Sequence, residues 1–395
     1  MAKLSLRDLD WKQKIVLVRV DFNVPLDENL KITDDTRIRA TLPTIKYLLE
    51  QGTKKVILIS HLGRPDGKRV EKYSLKPVAE RLRELLKEEI EFLDDCIGEK
   101  IKSKINSTNR RVILLENLRF HPEEEQNDPK FSQELASLAE VFVNDAFGTS
   151  HRAHASTEGV THYLKSVAGF LLEKEIKYLG EALENPKRPF VVILGGAKVS
   201  DKIGVFDNLL PKADTILVGG AMAYTFLKAE GFSIGNSKLE KDKIELAKSI
   251  LEKAKKLKKE LILPCDHIIV EEISSEAKIE ITKDQNIPEA KIAVDIGPKT
   301  IEVFKEKLKS AKTVAWNGPL GIFEIDKFSQ GTAEIAKFIS SLKDAITIVG
   351  GGDTASAVAK FKLEEKFTHV STGGGASLEF MEGKTLPGIA SLTDK

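Results

Sequence analysis

Short apolar, β-branched runs recur along the chain, each ending abruptly in small or charged residues, with helix-like stretches between them. In the first half, residues 15–20 end in Asp21-Phe22-Asn23, and 56–60 in His61-Leu62-Gly63-Arg64. Residues 112–115 end in Glu116 and then Arg119-Phe120-His121. Residues 141–143 end in Asn144-Asp145 and then His151-Arg152-Ala153-His154. Helical patterns fill 37–51, 75–89 and 130–140. This alternation predicts a parallel sheet covered on both faces.

The second half repeats the design with glycine endings. Residues 191–194 run into Gly195-Gly196-Ala197-Lys198, 215–218 into Gly219-Gly220-Ala221, and 313–316 into Asn317-Gly318-Pro319. Residues 346–349 run into Gly350-Gly351-Gly352-Asp353-Thr354, and 368–371 into Gly373-Gly374-Gly375. Residues 261–263 and 292–295, which stop at Pro264 and Gly297-Pro298, read as further strands of this sheet. The fold class is therefore α/β, with two doubly wound parallel-sheet, Rossmann-like domains. Residues 171–184 read as one helix stopped by Asn185-Pro186, which suits a hinge. The expected division is 1–170, an interdomain helix 171–185, and 186–377.

Ligands of open α/β sheets bind beyond the carboxyl ends of the strands. One half tips its strands with Arg and His and the other with Gly, so a cationic face and a backbone-lined face are expected. Arg37, His61, Arg64, Arg119, His151, Arg152 and His154 all read as lying at or just after strand ends, with Arg39 two residues beyond Arg37. Guanidinium groups bind carboxylate and phosphate bidentately. One arginine alone would read as ordinary surface; several converging point to a small polyanion. His154 reads equally well as a buried histidine satisfying a loop.

Gly195-Gly196-Ala197-Lys198-Val199-Ser200-Asp201-Lys202 follows a strand and opens a helix, a setting that admits phosphate to backbone N–H groups. Lys198 and Lys202, four apart, should share one helix face. Any one glycine turn is also an ordinary strand-to-helix connection; three in one half, one with paired lysines, indicate a nucleotide site. Asp353 fits either a helix N-cap or a magnesium contact. Glu324 fits either ribose hydroxyls or solvent.

The common nucleotide and hydrolase signatures are missing. There is no G-x-x-x-x-G-K-[ST], no ribose-paired G-x-G-x-x-G, no H-R-D and no G-x-S-x-G. The 61 Lys+Arg balance 60 Asp+Glu, so global charge points to neither nucleic acid nor an anionic membrane. Two cysteines read as reduced thiols, and no paired Cys/His spacing marks a structural zinc. A polar first segment and the lack of any run of about 20 apolar residues lead to the expectation of a cytoplasmic protein.

Nine blocks resemble the phosphoglycerate kinase family, in that family's order and nearly end to end. They are R-V-D-F-N-V-P (19–25), D-D-T-R-I-R (34–39), S-H-L-G-R-P (60–65), E-N-L-R-F-H (116–121) and N-D-A-F-G-T-S-H-R-A-H (144–154). The second half adds L-G-G-A-K-V-S-D-K (194–202), W-N-G-P-L-G-I-F-E (316–324), G-G-G-D-T (350–354) and S-T-G-G-G-A-S (371–377). The resemblance implies reversible phosphoryl transfer between 1,3-bisphosphoglycerate and MgADP, giving 3-phosphoglycerate and MgATP, by in-line transfer after hinge closure. Asp21, Asn23, Arg37, His61, Arg64, Arg119 and Arg152 would hold 3-phosphoglycerate. Arg37, Lys198, Lys202, Gly374 and Gly375 would serve the transferring group. Lys202, Gly219, Gly220, Asn317, Glu324, Gly350, Gly351, Gly352, Asp353 and Thr354 would line the ATP/ADP site, with Asp353 on Mg2+. It also implies that residues 378–395 return to the first domain, and a monomer is expected. A nicotinamide-dependent dehydrogenase and a non-catalytic two-domain anion binder are the alternatives. The first lacks the dinucleotide fingerprint, and the second needs only one anion site.

Overall fold

The computed structural model describes residues 3–395, with Glu181 by its backbone alone. The chain forms two compact units, 1–176 with 385–395, and 177–384.

The first unit is built on six parallel strands: β1 (Ile15–Val20), β2 (Lys55–Ile59), β3 (Ile90–Leu93), β4 (Val112–Leu115), β5 (Val141–Asp145) and β6 (Lys165–Ala168). Their order is β3-β4-β2-β1-β5-β6. Successive side chains of a strand face opposite sides, so each strand feeds two cores. Val16, Val18, Val56, Leu58, Val112 and Leu114 pack against Ile38, Ile45, Leu48 and Leu82 of the helices Thr36–Glu50 and Lys76–Leu86. Leu17, Ile57, Ile113, Leu115 and Phe142 pack against Ile101, Ile105, Phe131 and Leu135 on the other face. Fully burying each such side chain is worth about 1.5–3 kcal/mol. Two-sided burial is what near-continuous apolar strands require.

The second unit has a parallel sheet of β7 (Phe190–Leu194), β8 (Thr215–Val218), β9 (Glu260–Ile262), β13 (Thr313–Asn317), β14 (Ile346–Gly350) and β15 (His369–Val370). Its order is β15-β14-β13-β7-β8-β9. A separate three-stranded sheet holds β10 (His267–Val270), β11 (Glu280–Ile281) and β12 (Ile292–Ile296), ordered β11-β10-β12 and antiparallel. The 292–295 run is thus a strand, but not one of the parallel sheet as expected. It pairs with β10 and closes its own small core of Ile268, Val270, Val294 and Phe328.

Residues 170–184 are helical throughout, with a π-helical stretch over Ile176–Glu181 between α-helical turns. The start of this segment is held by Asp145, whose Oδ1 accepts from the N–H groups of Leu171 (2.9 Å) and Leu172 (3.3 Å). The chain returns to the first unit at Thr385, later than the expected residue 378. Gly375–Met381 packs on Ile203–Leu209 in the second unit, where Asn208 donates to the Met381 carbonyl (2.8 Å). Past Thr385, Lys3 donates to the carbonyls of Ala390 and Leu392, and Asn144 to that of Gly388.

Candidate active site

In the first sheet the chain runs from β1 to β2 on one side and later returns to β5 on the other. Such a reversal opens a crevice at the carboxyl ends of the flanking strands. The segments leaving β1, β2 and β5 carry Asp21-Phe22-Asn23, His61-Leu62-Gly63-Arg64 and Thr149–Arg152. Three hydrogen bonds tie the first two to each other and to Arg37 and Arg119. Arg37 donates to Asp21 (2.7 Å), Gly63 N–H to Asn23 Oδ1 (2.9 Å), and Arg119 to the Gly63 carbonyl (3.0 Å). Arg119 and Arg152 both approach Glu125, at 3.3 and 4.0 Å.

Arg37 does not sit at a strand end as expected. It lies in the first turn of Thr36–Glu50, which carries it back to Asp21. Arg39, two positions on and so on another side of that helix, pairs with Asp35 (2.8 Å), which also binds Arg81. Arg39 therefore does not join the group around Asp21. Arg64 is exposed, whereas Arg119 and His61 are buried.

Beneath this surface lies Arg19, fully buried in β1. It donates to Ser156 Oγ (2.8 Å) and lies 3.1 Å from His61 Nδ1. Burial lowers its pKa to about 10, against the pull of the Glu124 and Asp21 carboxylates. Burial and the neighbouring Arg19, Arg119 and Arg37 charges push His61 well below the usual imidazole range. His154 falls to about 3, by burial and then Arg119 and Arg19. Both imidazoles are neutral at pH 7, so the positive charge is carried by guanidinium groups. His154 is buried, with its Nδ1 3.9 Å from Glu124.

In the second sheet the reversal falls at β7, between β8 and β13. Here Gly195 and Gly318 interlock. A Cβ on Gly318 would lie 2.1 Å from the Gly195 carbonyl oxygen, and one on Gly195 would lie 2.2 Å from that of Pro319. A Cβ on Gly220, with φ +64°, would lie 2.5 Å from Gly196 N. These contacts admit glycine alone and expose peptide edges at the sheet's rim.

Around that rim is a cavity of about 460 Å³, a size suited to a small ligand. Gly196, Ala197, Gly220, Pro319, Glu324 and Asp353 line its polar side. Its apolar wall is Tyr224, Ile273, Ile292, Val294, Ile322 and Phe323. This wall was not foreseen, because it comes largely from the small antiparallel sheet and its connections. A larger hollow of about 580 Å³ is lined in part by Asp35, Arg39, Arg81 and Glu84, which pair with one another.

Asp353 is not the N-cap of Gly352–Lys360. Gly351, at φ +90°, holds that position, and the exposed Asp353 borders the cavity. Glu324 is exposed and also borders it. Thr354 is buried and accepts from Gly318 N–H (2.6 Å), so it braces the Asn317-Gly318-Pro319 turn. Lys198 and Lys202 do not share a helix face. Lys198 is exposed in the loop, a tight turn spans Ser200–Lys202, and the α-helix begins only at Ile203. Lys202 is half-buried and donates to Asn317 Oδ1; burial lowers its pKa. Gly219 and Gly350 close β8 and β14, with Gly352 opening its helix. Gly374 (φ +51°) and Gly375 begin the helix Gly375–Met381.

The model of the phosphoglycerate kinase family matches residues 6–384. Phosphoglycerate kinases of Dictyoglomus turgidum and Koribacter versatilis are 57% and 55% identical, with each chain covered completely. The solved phosphoglycerate kinase of Coxiella burnetii superposes with a TM-score of 0.90 at 42% identity, over 98% of each chain. That of Pyrococcus horikoshii gives 0.84 at 33% identity, again over 98% of each. With this likeness covering nearly the whole chain, it belongs to the phosphoglycerate kinase family and is a phosphotransferase acting on a carboxyl group.

Proposed function

We propose that the arginine-rich rim of the first sheet holds 3-phosphoglycerate and the glycine rim of the second holds ATP or ADP. The contrast between the two rims carries the reading: guanidinium groups gather at the β1/β2/β5 ends, and bare peptide edges at the β7/β13 ends. A phosphorylated carboxylic acid needs bidentate cationic partners. A nucleotide needs close backbone approach for its phosphates and an apolar slot for its base, which Tyr224, Ile292 and Phe323 are suited to provide.

In this reading Arg64, Arg119, Arg152, His61 and Asn23 bind the acid, with Asp21 orienting Arg37. Arg37, Lys198 and Lys202 act on the transferring phosphoryl group, together with the amides of Gly374 and Gly375. Gly219, Gly220, Asn317, Glu324 and residues 350–354 cradle the nucleotide. The donor set fits magnesium, since an exposed carboxylate, Asp353, borders the cavity and such ions are commonly held by one or two carboxylates plus phosphates. Magnesium supplies charge neutralisation on the phosphate oxygens. The protein's share is positioning and electrostatics, because phosphoryl transfer needs no covalent enzyme intermediate. Excluding water protects the acyl phosphate from hydrolysis. The reading extends to a cytoplasmic monomer.

A coupled assay with 3-phosphoglycerate and ATP tests it. ADP release that requires both 3-phosphoglycerate and magnesium is expected. A folded protein that binds both ligands without turnover overturns it.

A further inference from the structure

We propose that Asp95, Cys96 and His121 form a binding site for a borderline-soft divalent cation of the zinc type, with solvent completing the coordination. The three residues are brought together by the sheet. Strands β3 and β4 are parallel neighbours, and Asp95-Cys96 leave the carboxyl end of β3. His121 follows the turn Leu118–Phe120 beyond the same end of β4. Asp95 Oδ1 lies 2.7 Å from His121 Nε2, and one ligand atom from each of Asp95, Cys96 and His121 lies within 4.8 Å of the others. No other trio of such ligand atoms among the described residues comes this close. Residues 95–96 and 121 are far apart in sequence, so no ligand spacing marks them.

The donor set is one carboxylate, one imidazole and one thiol. Hard ions such as magnesium avoid sulfur, while zinc-type ions accept all three donors and tolerate three protein ligands plus water. The surroundings suit a cation. Cys96 is fully buried, whereas Asp95 and His121 are half-buried and give access from solvent. The Asp95, Glu124 and Glu116 carboxylates around Cys96 supply a negative field that favours a divalent ion. The nearby Lys100 and Lys104 pair with Asp94 rather than Asp95, while Arg69 acts on Asp95 in competition. His121 is braced against Phe131 at 5.3 Å.

Binding would break the Asp95–His121 hydrogen bond and form bonds from the metal to oxygen, nitrogen and sulfur. The thiol proton passes to solvent. Ordinary zinc–ligand lengths require the sulfur to close in by about 1 Å, within reach of side-chain rotation. This site uses none of the residues assigned to substrate, so it stands apart from the proposed function.

Cobalt(II), a spectroscopic substitute for zinc, tests it on the full-length protein. One equivalent should bind with a sulfur-to-cobalt charge-transfer band. The band should vanish in Cys96→Ser, persist in Cys265→Ser, resist a hundredfold excess of magnesium and bleach on adding zinc. His121→Asn and Asp95→Asn, at half-exposed positions, should weaken binding at least about tenfold while the protein stays folded, a check independent of the buried cysteine. A folded wild-type protein that shows no band at millimolar cobalt overturns the proposal. So does a band that follows Cys265, or one that magnesium removes.

Discussion

Glu240 holds Ser200 twice, accepting from its backbone N–H (3.2 Å) and its hydroxyl (2.5 Å). The same carboxylate also accepts from Val199 N–H. These three donors lie between Lys198 and Lys202, so Glu240 anchors the segment carrying both lysines. It touches no predicted ligand and acts as a positioning residue. Glu240→Ala should lower kcat at least about tenfold, in proportion to the loss of roughly 1.5–3 kcal/mol from hydrogen bonds to a charged group. Glu240→Gln, which keeps one acceptor oxygen, should recover part of that loss. Equal kcat values for wild type, Ala and Gln variants would remove this role.

The interlocked glycines separate steric from conformational effects. Gly318→Ala adds a Cβ 2.1 Å from a backbone oxygen at φ +96°. Gly196→Ala is placed at φ +101° with nothing within 4 Å of the new atom. Backbone strain alone costs about 1–3 kcal/mol. Gly196→Ala should stay within that range, and Gly318→Ala should exceed it. Urea unfolding midpoints give the comparison. ATP affinity should fall further for Gly318→Ala, because relieving the clash moves the β7 and β13 ends apart. Equal destabilisation by the two would show that the strands shift freely.

Asp145 offers a pH test. Burial raises its carboxyl pKa to about 7, outweighing the hydrogen bonds from Thr44, Leu172 and Leu171, while its Oδ2 has no hydrogen-bond partner among the described residues. An unfolded aspartate titrates near 3.9. Between those values the folded state binds the extra proton. The group's contribution is therefore complete below about pH 4 and is lost as pH rises through about 7. Asp145→Asn keeps an acceptor for the Leu171 amide and cannot ionise. Its melting temperature relative to wild type should rise from pH 5 to pH 8. A constant difference across that range would mean that Asp145 ionises normally.

The two parallel sheets were legible because both faces of each are buried. That forces continuous apolar runs which stop where the strand ends, as at Val20 or Leu194. Strands β10 to β12 were harder to read. Residues 292–295 look the same whether a strand joins a parallel sheet or a three-stranded antiparallel one, since partner choice lies outside the run itself. The cavity's apolar wall was missed for that reason, Ile292 and Val294 being part of β12. The shared face predicted for Lys198 and Lys202 assumed that a helix starts directly after Gly196. The segment instead turns tightly and starts its α-helix at Ile203, with Glu240, distant in sequence, holding the turn. The late return at Thr385 likewise depends on contacts of Asn208 and Gly375–Met381 that no local pattern records.

Arg37 and Arg64 belong to the same rim but should fail differently when removed. Arg37 is oriented by Asp21 at 2.7 Å, with the Asp21 side chain largely buried. A guanidinium held in place before substrate arrives is preorganised for charge that develops during transfer. Arg37→Ala should therefore lose about three decades or more of turnover, in line with arginines that stabilise phosphoryl transfer. Arg37→Lys should recover little, because an ammonium cannot bridge Asp21 and a phosphoryl oxygen with the same fork. Arg64 is exposed, and its proposed role is to capture the acid, so Arg64→Ala should raise the KM for 3-phosphoglycerate with a smaller change in kcat. Steady-state kinetics on the three variants, with circular dichroism to confirm folding, decide the matter. Arg37→Ala retaining a tenth of wild-type turnover, or Arg64→Ala with an unchanged KM, would reassign that residue from the reaction to the surface.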